Sequence, residues 1–194
     1  MTDRLIIGIS GASGVVYGVR LLELLAEAAV ETHLVMTPSA EVTLAHETDR
    51  KAAEVKALAD RVYNPRDIAG AIASGSFRTR GMIVAPCSVR SLSEIAWGTT
   101  ANLLTRAADV TLKERRRLVL LVRETPLHTG HLRTMAAASE NGAIVMPPVP
   151  AFYARPQSLN EMIDHTIGRA LDLFDIDLGT VRRWREPASG SSDA

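Results

Sequence analysis

Leu5-Ile6-Ile7-Gly8-Ile9 runs directly into Ser10-Gly11-Ala12-Ser13-Gly14, and a Leu/Ala/Glu-rich stretch from Val15 to Ala29 follows. The first five residues form a short apolar run bounded by turn signals, which predicts a buried strand. The next five are small enough for a tight loop, and the third stretch reads as a helix. The same grammar repeats along the chain. His33-Leu34-Val35-Met36 predicts a second strand ending at Thr37-Pro38-Ser39, with helices over 39–47 and 52–60. Met82-Ile83-Val84-Ala85 predicts a third strand, closed by Pro86, with helices over 89–97 and 102–114. Leu118 to Val122 is a further strand, His131 to Ser139 a helix, and Ala143 to Met146 the last strand. The prolines between Pro147 and Pro156 exclude a regular helix there, because each lacks an N–H donor. Ser158-Leu159-Asn160-Glu161 is a capping-box pattern that opens a final helix to about Phe174.

Strands alternating with helices, each strand a continuous apolar run, predict an α/β domain with a parallel sheet covered on both faces. One domain over residues 1–186 and a disordered tail over 187–194 are expected. In such folds ligands sit outside the carboxyl ends of the strands. The loops to inspect are therefore 10–14, 37–39, 86–91, 123–128 and 147–156.

The first loop puts small residues before a helix N-terminus, an arrangement that suits an anion. It is not G-x-G-x-x-G, and Thr37-Pro38-Ser39 stands where a nicotinamide site places an acid for the ribose. A mononucleotide or another phosphate fits better; a ligand-free helix cap is the alternative. Ser88 and Ser91 can cap a second helix on the same edge, and Ser91-Leu92-Ser93-Glu94 matches a capping box. Cys87 reads as a small buried residue rather than a nucleophile. Arg123-Glu124 follows five apolar residues and so points at the crevice, the alternative being a rim ion pair. Asp109 and Lys113 have the spacing of a solvated helix pair, and Arg115 to Arg117 read as a basic surface turn. Glu47 and Arg169 have ordinary exposure as their alternative. Tyr153 would anchor the proline-rich loop, and Trp184 would dock on a neighbouring subunit. His128 and His131 have no third ligand at a matching spacing, so no metal is expected.

The chain has 194 residues, with 22 Lys+Arg against 22 Asp+Glu. That balance gives no electrostatic footprint for nucleic acid or a polybasic membrane surface. Only Lys51, Lys56 and Lys113 are lysines; the remaining cations are arginines, mainly a compositional background, although some could grip phosphate. One cysteine excludes an internal disulfide framework. No run reaches the length of a membrane span, and no signal peptide precedes the first strand, so a cytoplasmic protein is expected.

The loops taken together resemble one family, the UbiX-type flavin prenyltransferases, within a larger flavoprotein group. The matching segments are Gly8 to Gly14, Glu47-Thr48-Asp49, Ala73-Ser74-Gly75-Ser76-Phe77, Pro86-Cys87-Ser88, Arg106 to Val110 with Lys113 to Arg116, Arg123-Glu124-Thr125-Pro126, and Pro150-Ala151-Phe152-Tyr153 with Pro156. The resemblance implies a Rossmann-like (flavodoxin-like) single domain in a homododecamer. It implies transfer of a dimethylallyl group from dimethylallyl monophosphate to N5 and C6 of reduced FMN, without metal. The product would serve a UbiD-type decarboxylase. It places Gly11, Ala12, Ser13, Thr37, Ser88, Val89, Arg90, Ser91 and Arg123 at FMN. Lys113, Arg123, Glu124, Tyr153, Arg169 and Trp184 would stand at the prenyl phosphate. The catalytic set would be Ser13, Glu47, Lys113, Glu124 and Tyr153, with some members donated by neighbouring chains. Thr37-Pro38 departs from the family's common Ser-Lys, and Thr99-Thr100-Ala101 from its more polar run.

Two alternatives accompany this expectation. One is an FMN-dependent decarboxylase acting directly; related flavoproteins of that kind use a histidine at the flavin, where the comparable region here offers Glu47, with His46 beside it. The other is a non-enzymatic flavin carrier, which leaves Lys113, Arg123, Tyr153 and Arg169 unexplained.

Overall fold

The structure, a computed structural model, describes residues 3–184. The expected tail over 187–194 lies outside the described residues. A six-stranded sheet forms from β1 (Arg4–Ile9), β2 (Glu31–Met36), β3 (Arg61–Tyr63), β4 (Gly81–Cys87), β5 (Arg117–Val122) and β6 (Ile144–Val145). Its order is β3-β2-β1-β4-β5-β6, with all pairs parallel. The helices are α1 (Val15–Leu25), α2 (Pro38–Glu47), α3 (Ala52–Lys56), α4 (Val89–Ala96), α5 (Leu103–Lys113), α6 (Thr129–Glu140) and α7 (Leu159–Asp172).

The continuous apolar runs are explained by two separate cores. Leu5, Ile7, Ile9, Leu34, Ile83 and Val119 pack with α1, α2, α3 and α7 on one face. Ile6, Val35, Met82, Val84, Leu118 and Leu120 pack with α4, α5 and α6 on the other. Alternate side chains along each strand thus enter opposite cores. The chain reverses direction between β1 and β4, so the switch point, where a doubly wound sheet opens a crevice, lies there.

The predicted elements are present, with corrections. The helix expected to Ala29 stops at Leu25, and the one expected over 52–60 stops at Lys56. β3 has no apolar run to announce it: Arg61 and Val62 are exposed on an edge strand. Pro86 does not close the third strand, because β4 continues to Cys87. The register shifts between Val84 and Cys87, which removes the proline's missing donor from the ladder. Within the proline-rich segment, Phe152–Ala154 forms one 3-10 turn. The pattern Ser91 to Glu94 is not a cap: α4 begins earlier, at Ser88, whose hydroxyl accepts the Ser91 N–H at 3.2 Å. Ser158 does cap α7, but Glu161 accepts from the Gln157 N–H rather than from Ser158.

Candidate active site

The loops after β1, β2, β4 and β5 meet at the carboxyl edge. Ser10 ties the first to the third. Its buried hydroxyl donates to the Pro86 carbonyl at 2.8 Å and accepts the Ser88 N–H at 2.8 Å. The Arg123 N–H donates to the Cys87 carbonyl at 3.1 Å, which sets the β5 loop beside the same turn. Gly11 packs against the β2 loop so closely that a Cβ would stand 2.5 Å from Ser39 Cβ and Oγ. Gly11→Ala is therefore expected to push the first two loops apart. A flavin titration should show at least a ~10-fold loss of affinity, of the order seen for overpacking strain.

Gly14 precedes α1 in the left-handed region, at φ 93°, and carries no side chain to cap the helix. Glu47, the last residue of α2, supplies the cap from a distance. One of its carboxylate oxygens accepts the Gly14 N–H at 2.9 Å and the Val15 N–H at 3.0 Å. A carboxylate at a helix N-terminus is held by charge-assisted hydrogen bonds and by the helix dipole. Glu47 is thus neither an idle surface acid nor a freely swinging base; it is fixed against the Gly11–Gly14 loop.

A cleft of about 390 Å³ is lined by Gly11, Ala12, Ser13, Ser39, Ser88, Val89, Arg90, Arg123 and Glu124. Seven of the residues expected from sequence at FMN meet in it. A second cleft of about 410 Å³ shares Ser39, Ser88 and Arg90 with it and extends along Thr37, Ser91, Arg66 and Asn102. Their joint size and polarity suit a mononucleotide. The N-termini of α2 and α4 open on this groove, and small residues line it, so an anion can approach backbone donors. Thr37 is only partly available, because its hydroxyl accepts the Ala40 N–H at 3.2 Å and meets Ser39 Oγ at 3.0 Å. Arg123 forms no ion pair among the described residues, leaving its guanidinium open to a ligand. Its charge reaches Tyr17 on α1, partly offsetting the rise that burial imposes on that phenol. Ser39 falls in the expected loop 37–39, whereas Arg66 carried no sequence signal, because it follows the unannounced β3.

Cys87 is fully buried, and burial pushes its thiol up to about 12, which disfavours the thiolate a nucleophile needs. His128 caps α6, and its ring stacks on His131 with centroids 3.6 Å apart. Among the described residues no group of His, Cys, Asp and Glu gathers to hold a metal.

The residues expected at the prenyl phosphate do not converge within one chain. Arg123 and Glu124 follow β5 at the carboxyl edge. Lys113 ends α5, just before β5 starts at Arg117, which pairs with Gly81 at the amino edge. Lys113 and Arg123 thus stand a strand apart, roughly 20 Å for six residues. Asp109 is not the partner of Lys113: it pairs with Arg106 at 2.8 Å, while Lys113 meets Glu114 at 2.5 Å and holds that carboxyl below its usual range. Nor are Arg115 to Arg117 a free turn, since Arg116 donates to the Phe77 and Gly75 carbonyls and Arg117 to the Leu173 carbonyl. Tyr153, Arg169 and Trp184 gather on a third region, around α7. Tyr153 meets Trp184 edge-on with centroids 5.4 Å apart, and Arg169 pairs with Asp172. Lys113, Tyr153, Arg169 and Trp184 are all solvent-exposed.

Comparison with known proteins fits this architecture. The Flavoprotein family model matches residues 2–176. The flavin prenyltransferase UbiX of Escherichia coli strain K12 is 61% identical over 185 residues, covering 94% of this chain and 98% of its own. A UbiX crystallised in complex with FMN and dimethylallyl pyrophosphate superposes with a TM-score of 0.94 at 48% identity, over 97% of this chain and 100% of its own. A dodecameric FMN-dependent UbiX-like decarboxylase from Escherichia coli O157:H7 gives 0.91 at 48% identity, over 94% and 100%. No described helix is long and apolar enough to cross a membrane. With a match this long and this close, on a chain whose glycine loop, Glu47 clamp and Arg123 cleft meet at the switch point of the sheet, the protein belongs to the UbiX-type flavin prenyltransferases of the flavoprotein family.

Proposed function

We propose that this chain transfers a dimethylallyl group from dimethylallyl monophosphate to reduced FMN, acting as a cytoplasmic homododecamer. The observation that carries the proposal is the close match, over nearly the whole chain, to a protein crystallised with FMN and dimethylallyl pyrophosphate. The carboxyl-edge groove formed by Gly11 to Ser13, Ser39, Ser88 to Ser91 and Arg123 is where the flavin would be held. Bound reduced FMN supplies the nucleophilic N5 and C6 atoms.

The chain's own residues would manage charge and protons. Breaking the allylic carbon–oxygen bond puts negative charge on the leaving phosphate and positive charge on carbon. Lys113, Arg123 and Arg169 would stabilise the phosphate, a preorganised electrostatic contribution. Tyr153 or Glu124 would supply its proton. Trp184 would shield the allyl cation with an aromatic face. Glu47, fixed at the α1 N-terminus, would take a proton from the flavin edge, with Ser13 beside it. Because these groups occupy three separate regions of one chain, the reading requires neighbouring subunits to complete each site. The prenylated flavin would pass to a UbiD-type decarboxylase.

Direct decarboxylation is the second reading, favoured by the description of one structural relative. Here His46 is exposed on α2 while Glu47, one residue on, turns to the α1 N-terminus. The donor experiment separates the readings. Incubation with reduced FMN should yield modified flavin with the monophosphate and less with the diphosphate. Carbon dioxide release from a carboxylic acid substrate, with flavin unmodified, would favour the second.

A further inference from the structure

The hydroxyl of Tyr153 belongs to a segment with little backbone structure of its own. Four prolines, Pro147, Pro148, Pro150 and Pro156, bracket it, and one 3-10 turn is its only regular element. Phe152 next to it is 75% exposed, so the turn is not anchored by burial of that ring. Something outside the segment has to set where the Tyr153 hydroxyl stands. The only described side chains in ring contact with it are His165 and Trp184.

His165 is fixed in place by its helix. It lies on the inward face of α7 among Ile163, Thr166 and Ile167, and is 6% exposed. The preceding residue, Asp164, is gripped by Arg20 of α1 through two hydrogen bonds of 2.6 and 3.0 Å. The imidazole therefore rides on a helix locked to the domain. Its Nε2 stands 3.5 Å from Tyr153 Oη, and the two rings meet edge-on at 82°. A buried imidazole with its polar edge turned to an exposed phenol gains little as packing, since an apolar ring would fill the same space without a desolvation cost.

We infer that His165 is a positioning residue: its Nε2 fixes the Tyr153 hydroxyl and thereby the contact that Tyr153 makes with the donor phosphate. The inference rests on the proposed placement of Tyr153 at that phosphate. His165 need not touch donor or flavin.

The test is a double-mutant cycle in the intact oligomer with dimethylallyl monophosphate as the varied substrate. His165→Phe keeps the ring and removes the nitrogen. It should raise the donor KM about 5-fold, the scale of one neutral hydrogen bond, and leave the FMN affinity unchanged. In a Tyr153→Phe background the same change should have no further effect. His165→Gln, which returns a polar group near the Nε2 position, should recover most of the loss. Equal losses in both backgrounds, or no recovery with glutamine, would mean a packing role and overturn the inference; so would an unchanged KM in His165→Phe. Should His165→Phe fail to assemble, the glutamine variant compared with His165→Ala, each in both backgrounds, reads the same coupling. If Tyr153→Phe alone leaves KM unchanged, the placement of Tyr153 itself is refuted, a failure distinct from a raised KM there with no coupling to His165.

Discussion

Lys113→Ala is expected to lower kcat/KM for the phosphorylated donor by ~10²–10³-fold, the usual cost of removing one preorganised charge from a leaving group. Its melting temperature should barely move, because the Lys113–Glu114 pair is exposed and such pairs contribute little to stability. The same substitution tests how the site is built. Lys113 lies at the amino edge of the sheet and Arg123 at the carboxyl edge, so one chain cannot bring both to one phosphate. Arg123→Ala should be as damaging as Lys113→Ala. Oligomers assembled from a mixture of the two variants should regain part of the native activity, because some subunit junctions then pair an intact Lys113 with an intact Arg123. Mixed oligomers no more active than the two variants separately would refute the shared site.

Glu47→Gln is the second large effect, and it should act on two observables at once. The carboxylate accepts the first two N–H groups at the start of α1, where Gly14 offers no cap of its own. An amide keeps one acceptor oxygen and turns an NH₂ group towards those donors. Loss of charge-assisted bonds at an exposed site should cost about 1–2 kcal/mol, read as a lower melting temperature. The proposed proton-accepting role adds a kinetic effect, a fall in turnover of ~10²-fold with the donor KM little changed. A lowered melting temperature with normal turnover would leave Glu47 as a helix cap and nothing more.

Much of this fold could be read from residue order because its strands are buried on both faces. Leu5 to Ile9 and Leu118 to Val122 are continuous apolar runs for that reason, and they stand where the pattern puts them. β3 could not be read: a three-residue edge strand with two exposed members has no hydrophobic signature. Pro86 misled in the other direction, since a proline inside a central strand is tolerated only where the register shifts, and that shift is a property of the β4–β5 pair. Among the residues that line the clefts, the glycine loop, Ser88 to Ser91 and Arg123-Glu124 were legible because the carboxyl-edge rule names the loops. The clamp of Glu47 on Gly14 was not, since it joins residues 33 apart through a contact no local pattern encodes. The separation of Lys113 and Arg169 from Arg123 follows from helix direction: α5 and α7 run back towards the amino edge, carrying their last turns away from the crevice.

Prenyl transfer would change the mass of the flavin. Anaerobic incubation with reduced FMN and dimethylallyl monophosphate, followed by mass spectrometry of the extracted flavin, reads it directly. A flavin heavier by one C5H8 unit, formed only when both substrates and protein are present, is the expected result. FMN of unchanged mass, recovered from protein shown to bind both compounds, would contradict it.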